Sequence, residues 1–210
     1  MTGYLSLKRI VDVITDLSHL TPECAKEKYP EFPSLSGHIA DLFLKDHLHD
    51  ILPRLKLQLR IVERYNPPIR PALDPYSSTQ LGIFSKNFSD WEVGLFLNYP
   101  ACCIRSFSEE VRYGFDSKHL EELSSLREEV VFVSTAGFVP HSLFCKEASE
   151  RALIGFLKLE ELQLLNDLED ELSQVLPHTH PEYQKHYYDI LIHDTQDWMA
   201  SYNKKSSFHG

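Results

Sequence analysis

Glycine is scarce, at 8 of 210 residues, and none of the 8 builds a Gly-rich phosphate loop or a dinucleotide fingerprint. Nucleotide-type cofactors therefore have no recognisable cradle. No apolar run approaches the roughly 18 residues of a membrane span, and the N-terminal MTGYLSLKRIVDV lacks the apolar core and small-residue cleavage site of a signal peptide. A cytoplasmic location with no membrane partner is the expectation. Basic residues are in deficit, with Lys plus Arg at 21 against 31 for Asp plus Glu, and the net charge of −10 disfavours nucleic-acid backbone and anionic lipid. Cysteine, at 4, is too sparse for a disulfide scaffold, so free thiols or metal thiolates are expected in a reducing cytosol. No serine sits in the Gly-x-Ser-x-Gly context of a nucleophile elbow.

What is present is the composition of a folded protein, since 42% hydrophobic and 25% charged residues exclude disorder, collagen and a coiled-coil rod. A chain of this length buries a core without staples and reads as a single domain, 1–210. Residues 66–78 are the one place where an N-terminal helical part could separate from a part carrying the Cys and His residues.

Leu7, Ile10, Val11, Ile14 and Leu17 recur at the three-and-four spacing of a core-facing helix. Thr21-Pro22-Glu23 supplies a cap and a first-turn proline for a short second helix to about Lys28, and 29–37 reads as a linker. A helical pattern from His38 meets Pro53, which should kink or divide it. Leu55 to Ile61 alternates like a strand, although its Lys, Gln, Arg and Leu content favours helix. Pro67, Pro68, Pro71 and Pro75 make 66–78 a surface loop or linker. Leu81 to Ser85 is a strand candidate. Trp91 to Leu97 and Ala101 to about Tyr113 are helices meeting at Tyr99-Pro100, and Leu120, Leu123 and Leu126 mark another. Val130 to Val133 is the strongest strand because β-branched and aromatic residues dominate it. Lys146 to Leu176 reads as one long helix with an acidic outer face, and Glu182 to Tyr202 as a final helix. The fold class is α+β, mainly α-helical with a small β element near 81–85 and 130–135.

The chemically specific feature is the set Cys102, Cys103, His141 and Cys145. Both clusters fall where a loop runs into a helix, so first-turn amides favour thiolate over thiol. His141 and Cys145 are four apart, which puts both on one side of a turn or helix start. Three sulfurs and one imidazole are a common tetrahedral zinc set. Adjacent cysteines tend to diverge, and both reach one ion only through a turn. The metal-free alternatives are a reactive thiol at Cys102 or Cys103 and plain burial, free Cys being a frequent core residue.

The stretch resembles a prokaryotic, largely archaeal family, domain-of-unknown-function family 483, over roughly residues 80–155. The residues that carry the likeness are Asn98-Tyr99-Pro100-Ala101-Cys102-Cys103 and Pro140-His141-Ser142-Leu143-Phe144-Cys145. Asn98 stands at a glycine position of the family pattern, a mild change because Asn tolerates the left-handed conformation. His141 stands at a cysteine position. Cys and His interchange as zinc ligands but not as disulfide partners, so the resemblance implies metal rather than a disulfide, and argues against a four-thiolate iron–sulfur cluster. It implies no activity.

Other signals read as structural. His178-Thr179-His180-Pro181 shares the His-x-His-Pro pattern of zinc peptidases, with Asp189 or Asp194 as a third ligand, but its flank is a polar helix end and no serine follows. A solvated interhelical loop is the reading. His47 and His49 lie two apart on a helix and point away from each other. Cys24 reads as a small buried residue, and Tyr183, Tyr187 and Tyr188 as packing between helices. Three functions stay open, with or without enzymatic activity. They are a zinc centre, a thiol redox or transfer protein using Cys102 or Cys103, and a helical interaction module presenting 146–176 to a protein partner or a second copy.

Overall fold

The computed structural model describes residues 1–48, 50–126, 131–178 and 186–192. Helix α1 (Gly3–Leu17) is capped by Thr2, whose side chain accepts from the Leu5 N–H, and its apolar stripe from Leu7 to Leu17 is buried. Helix α2 (Pro22–Lys28) starts with Thr21 as cap and Pro22 in the first turn. Helix α3 (Pro33–Leu44) starts inside the stretch read as linker, because Pro33 is preorganised for a first helical position. In α4 (Ile51–Tyr65) Pro53 lies in the first turn, where a missing N–H leaves no broken bond. Leu55, Ile61 and Val62 are fully buried while Leu57 and Leu59 are only partly so, which is helical and not alternating burial. Asn66, left-handed at φ 43°, ends the helix.

The short helices α5 (Pro75–Gln80), α6 (Asp90–Phe96), α7 (Ala101–Ser108) and α8 (Ser117–Ser124) follow. Residues 81–85 form turns and not the expected strand, with the Ile83 amide donating back to Ser78. Strand β1 (Val131–Thr135) matches the sequence reading, Val130 lying outside the described residues. The stretch read as one long helix is three elements, α9 (Lys146–Glu150), β2 (Ile154–Leu157) and α10 (Leu159–Val175). Ala152 takes φ 56°, which stops α9 and lets the next residues extend. Strand β3 (Tyr188–Ile192) lies in the stretch read as the final helix, in which His186 and Tyr187 are also described and not helical, and whose remaining residues are outside the described ones. The fold is thus α+β and mainly helical, with one antiparallel sheet of order β2-β1-β3.

Strand β1 is central and every residue of it is buried, pairing Phe132 with Phe156 on one side and with Leu191 on the other. Its alternate side chains serve two hydrophobic clusters. Val131 and Val133 join the main core built by α1, α3, α4 and α10, whereas Phe132 joins a smaller one with Cys103, Phe138, Leu143, Cys145 and Leu153.

The proline-rich segment 67–74 is not a surface linker. It is a strap pressed between α1, α4 and the sheet, with Ile69, Arg70, Leu73 and Asp74 buried. Burial is tolerable because its backbone groups have partners. Pro67 O accepts from Gly3 N–H, Ile69 O from the Tyr188 hydroxyl, and Arg70 O from the Thr135 hydroxyl. Arg70 N–H donates to Ala152 O and Ala72 N–H to Tyr187 O, while the Gln58 amide serves both Ala72 O and Asp74 N–H. Asp74 caps α5 through the Ser77 amide and holds Arg54, whose guanidinium also donates to Leu176 O and Pro177 O.

The close approach of α1 to the strap needs a residue without a side chain, because a Cβ on Gly3 would lie 2.5 Å from Ile69 O. Gly3→Ala, which helix propensity alone would favour, is expected to destabilise by about 1–3 kcal/mol through this overlap. A lower urea midpoint at unchanged m-value is the readout, and a rise would refute the packing argument.

Candidate metal centre

The first arm of the site is the corner between α6 and α7. Ser89 caps α6 through the Glu92 amide, and the chain leaves α6 through Asn98, left-handed at φ 60°, with the Tyr99 amide donating to Gly94 O at 2.8 Å. Gly94 is required here because a Cβ would sit 2.6 Å from the Ile104 side chain of α7. Pro100 then caps α7, and its carbonyl accepts from both Cys103 and Ile104 amides at 2.9 and 3.0 Å. Cys102 and Cys103 therefore occupy a tightly wound first turn, which lets neighbouring thiols converge off the helix end.

The second arm descends from β1. Gly137, at φ 75°, turns the chain, and Pro140 and His141 lead into a turn closed by the Cys145 amide on Ser142 O at 3.1 Å. Cys145 is the cap residue of α9. All four expected residues meet, their ligand atoms within 4.8 Å of one another. Sγ separations are 4.0 Å for Cys102–Cys103, 3.8 Å for Cys102–Cys145 and 3.7 Å for Cys103–Cys145, and His141 Nδ1 is 3.5 Å from Cys103 Sγ. Bonds of about 2.3 Å to sulfur and about 2.0 Å to nitrogen, at tetrahedral angles, give edges of about 3.8 Å and about 3.5 Å. The three S···S edges and the Cys103–His141 edge match these lengths, and the other two His141 edges lie within 4.8 Å. The four residues are positioned to hold a metal ion, and the thiols are free, with no disulfide among them.

Cys103 and Cys145 are buried, whereas Cys102 and His141 are partly open. The hydrogen bond from Cys103 draws the Cys145 thiol down to about 5, against the opposing effect of burial. The same bond, with burial, pushes Cys103 far up, and burial raises Cys102.

A second layer fixes the His141 arm. Arg112 lies just beyond α7, holds Asp116 with two bonds of 2.6 and 2.9 Å, and donates to His141 O at 2.9 Å and to the Ser106 hydroxyl at 3.3 Å. His119, fully buried in α8, donates from Nε2 to Pro140 O at 2.7 Å. Glu122 accepts from the Leu143 amide at 2.7 Å. Helix α8 thus grips 140–143 through His119, Glu122 and, at 3.5 Å, Lys118 on His141 O, and Arg112 holds the same carbonyl. The sequence pattern did not mark Arg112, His119 or Glu122 as supports of this arm, because the groups they hold at 140–143 are backbone atoms.

Among the described residues the other candidates do not converge on a site of this kind. Cys24 is exposed and not buried, His47 is exposed, and His49 is outside the described residues. His178 is buried and not solvated, while Thr179 to Pro181 and Asp194 lie outside the described residues. Tyr187 and Tyr188 are buried against the strap and sheet, and Tyr183 is not described.

A family of proteins of unknown function (DUF483) matches residues 55–173, wider than the stretch that carries the likeness in sequence. The chain belongs to this family. An uncharacterized protein of Methanothermobacter thermautotrophicus is 45% identical over 147 residues, covering 69% of this chain and 80% of its own. One from Methanocaldococcus jannaschii is 41% identical over 167 residues, covering 77% of this chain and 89% of its own. No solved structure matches. No helix among the described residues is long and apolar enough to cross a membrane.

Arg112 beside it holds the Asp116 carboxyl well below the usual carboxylate range. A folded-state pKa below the unfolded one contributes stability that is present above the ordinary value of about 3.9 and is lost as pH falls from there through the folded value. Asp116→Asn is therefore expected to be less stable than the parent at neutral pH, with a gap that closes in acid below that value. Urea midpoints of both proteins across pH check this, and a gap constant with pH would remove the ion pair as its cause.

Proposed function

We propose that this protein carries one structural zinc ion, held by Cys102, Cys103, His141 and Cys145. The observation that supports this reading best is the agreement of the three S···S distances and of the Cys103–His141 distance with four of the six edges of a zinc tetrahedron. Four protein donors fill the coordination shell and leave no position for substrate, which favours a structural over a catalytic ion. Position in the fold supports the same role. The cluster joins α7 to the 138–145 segment inside the smaller hydrophobic cluster, where short helices and loops have little apolar area of their own to bury. We also place the protein in the cytoplasm, where a reducing environment keeps three thiols available to the ion.

Protein purified without a metal-affinity tag is expected to contain about one zinc per chain by elemental analysis. Cys103→Ser and Cys145→Ser should each lose the metal and lower the melting temperature by at least about 5 °C, and a chelator should destabilise the parent but not the variants. Absence of metal, with melting unmoved by chelator or substitution, would refute the centre. Rapid alkylation of Cys102 or Cys103 without chelator would favour a reactive thiol instead, because zinc-bound thiolates are protected.

A further inference from the structure

Arg70, on the buried strap, is 1% exposed, yet no carboxylate among the described residues pairs with it. Its Nη1 donates to Leu97 O at 2.9 Å, its guanidinium lies 5.8 Å from the Tyr99 ring centre, and its Nε is buried without a partner. Burial pushes its pKa down. The other arginines with mostly buried side chains differ: Arg54 holds Asp74 and Arg112 holds Asp116. A buried cation answered by one carbonyl and by the ring and side-chain hydrogen bond of Tyr99, with no carboxylate among the described residues, is costly, and an anion from outside the chain would complete it.

That something has room. Arg70 lines a cavity of about 460 Å³, a volume suited to a small molecule, whose walls are mostly apolar and include Leu73, Leu97 and Tyr99. Phe84, 69% exposed, stands at its edge as an apolar lip. One fixed positive charge matches one negative charge, and a guanidinium presents paired donors suited to a planar carboxylate. With a net charge of −10 the chain does not steer anions from a distance, so selection falls to the cavity itself. We propose that this cavity binds a small organic carboxylate, its head on Arg70 and its apolar body along Leu73 and Leu97. The site is separate from the Cys/His cluster and does not require that the cluster hold metal.

Calorimetry and melting shifts on the full chain test this with hexanoate and benzoate, with the uncharged hexanamide and benzamide, and with inorganic phosphate. The expected result is that at least one carboxylate binds and raises the melting temperature, its amide binds at least tenfold more weakly, and phosphate has no effect. Arg70→Met should abolish carboxylate binding. Gln80→Trp, an exposed change at the cavity wall that spares the core, should weaken it at least tenfold and keeps the test decisive if Arg70→Met does not fold. Binding by neither carboxylate, equal binding of acid and amide, binding by phosphate alone, or carboxylate binding unchanged in Gln80→Trp would each overturn the proposal.

Discussion

A backbone that is buried must find partners for its amides and carbonyls, and the strap at 67–74 is where this fold meets that constraint most severely. Its prolines remove donors, so fewer amides need partners, and the remaining polar groups are met by Gln58, Thr135, Tyr188 and the backbone of Gly3, Ala152 and Tyr187. Those partners come from α1, α4, the turn before β2, and the sheet. The relative placement of these elements is therefore tied to one irregular segment, and the Cys/His arms, which leave the sheet and the α6–α7 corner, inherit their positions from it.

The Cys/His cluster and the cavity are separate but share supporting residues. Tyr99 packs on Phe138 at 4.6 Å between ring centres, lines the cavity, and precedes the cap of α7. Gly137 lines the same cavity and turns the chain toward His141. Arg151 donates to Tyr99 O at 2.9 Å and steadies the corner from outside. The corner at 98–100 thus supports thiols on one side and an aromatic wall on the other.

The parts legible in the sequence were those with local causes. Helical spacing revealed α1, residue content favoured helix over strand in α4, Thr21-Pro22 revealed the start of α2, and the pairing of Cys102-Cys103 with His141 and Cys145 stood out by chemistry alone. Strand β2 was hidden because Leu153, Phe156 and Leu157 also fit a helical spacing, and only the left-handed Ala152 breaks it. Strand β3 was hidden because its existence depends on pairing with β1, a long-range event with little local signature. Burial of the strap was hidden for the same reason, since proline content speaks to regularity and not to depth. Arg70 followed it out of sight.

The pleat of β1 sends Val131 and Val133 to one cluster and Phe132 to the other. A strand buried on both faces has no neutral side, and a slip of one residue against β2 or β3 would exchange large and small side chains in both clusters at once. The sheet register is thus locked twice over. The same five residues bind the two clusters into one cooperative unit, so strain introduced in either is felt across the shared strand and neither can drift in sequence without the other answering.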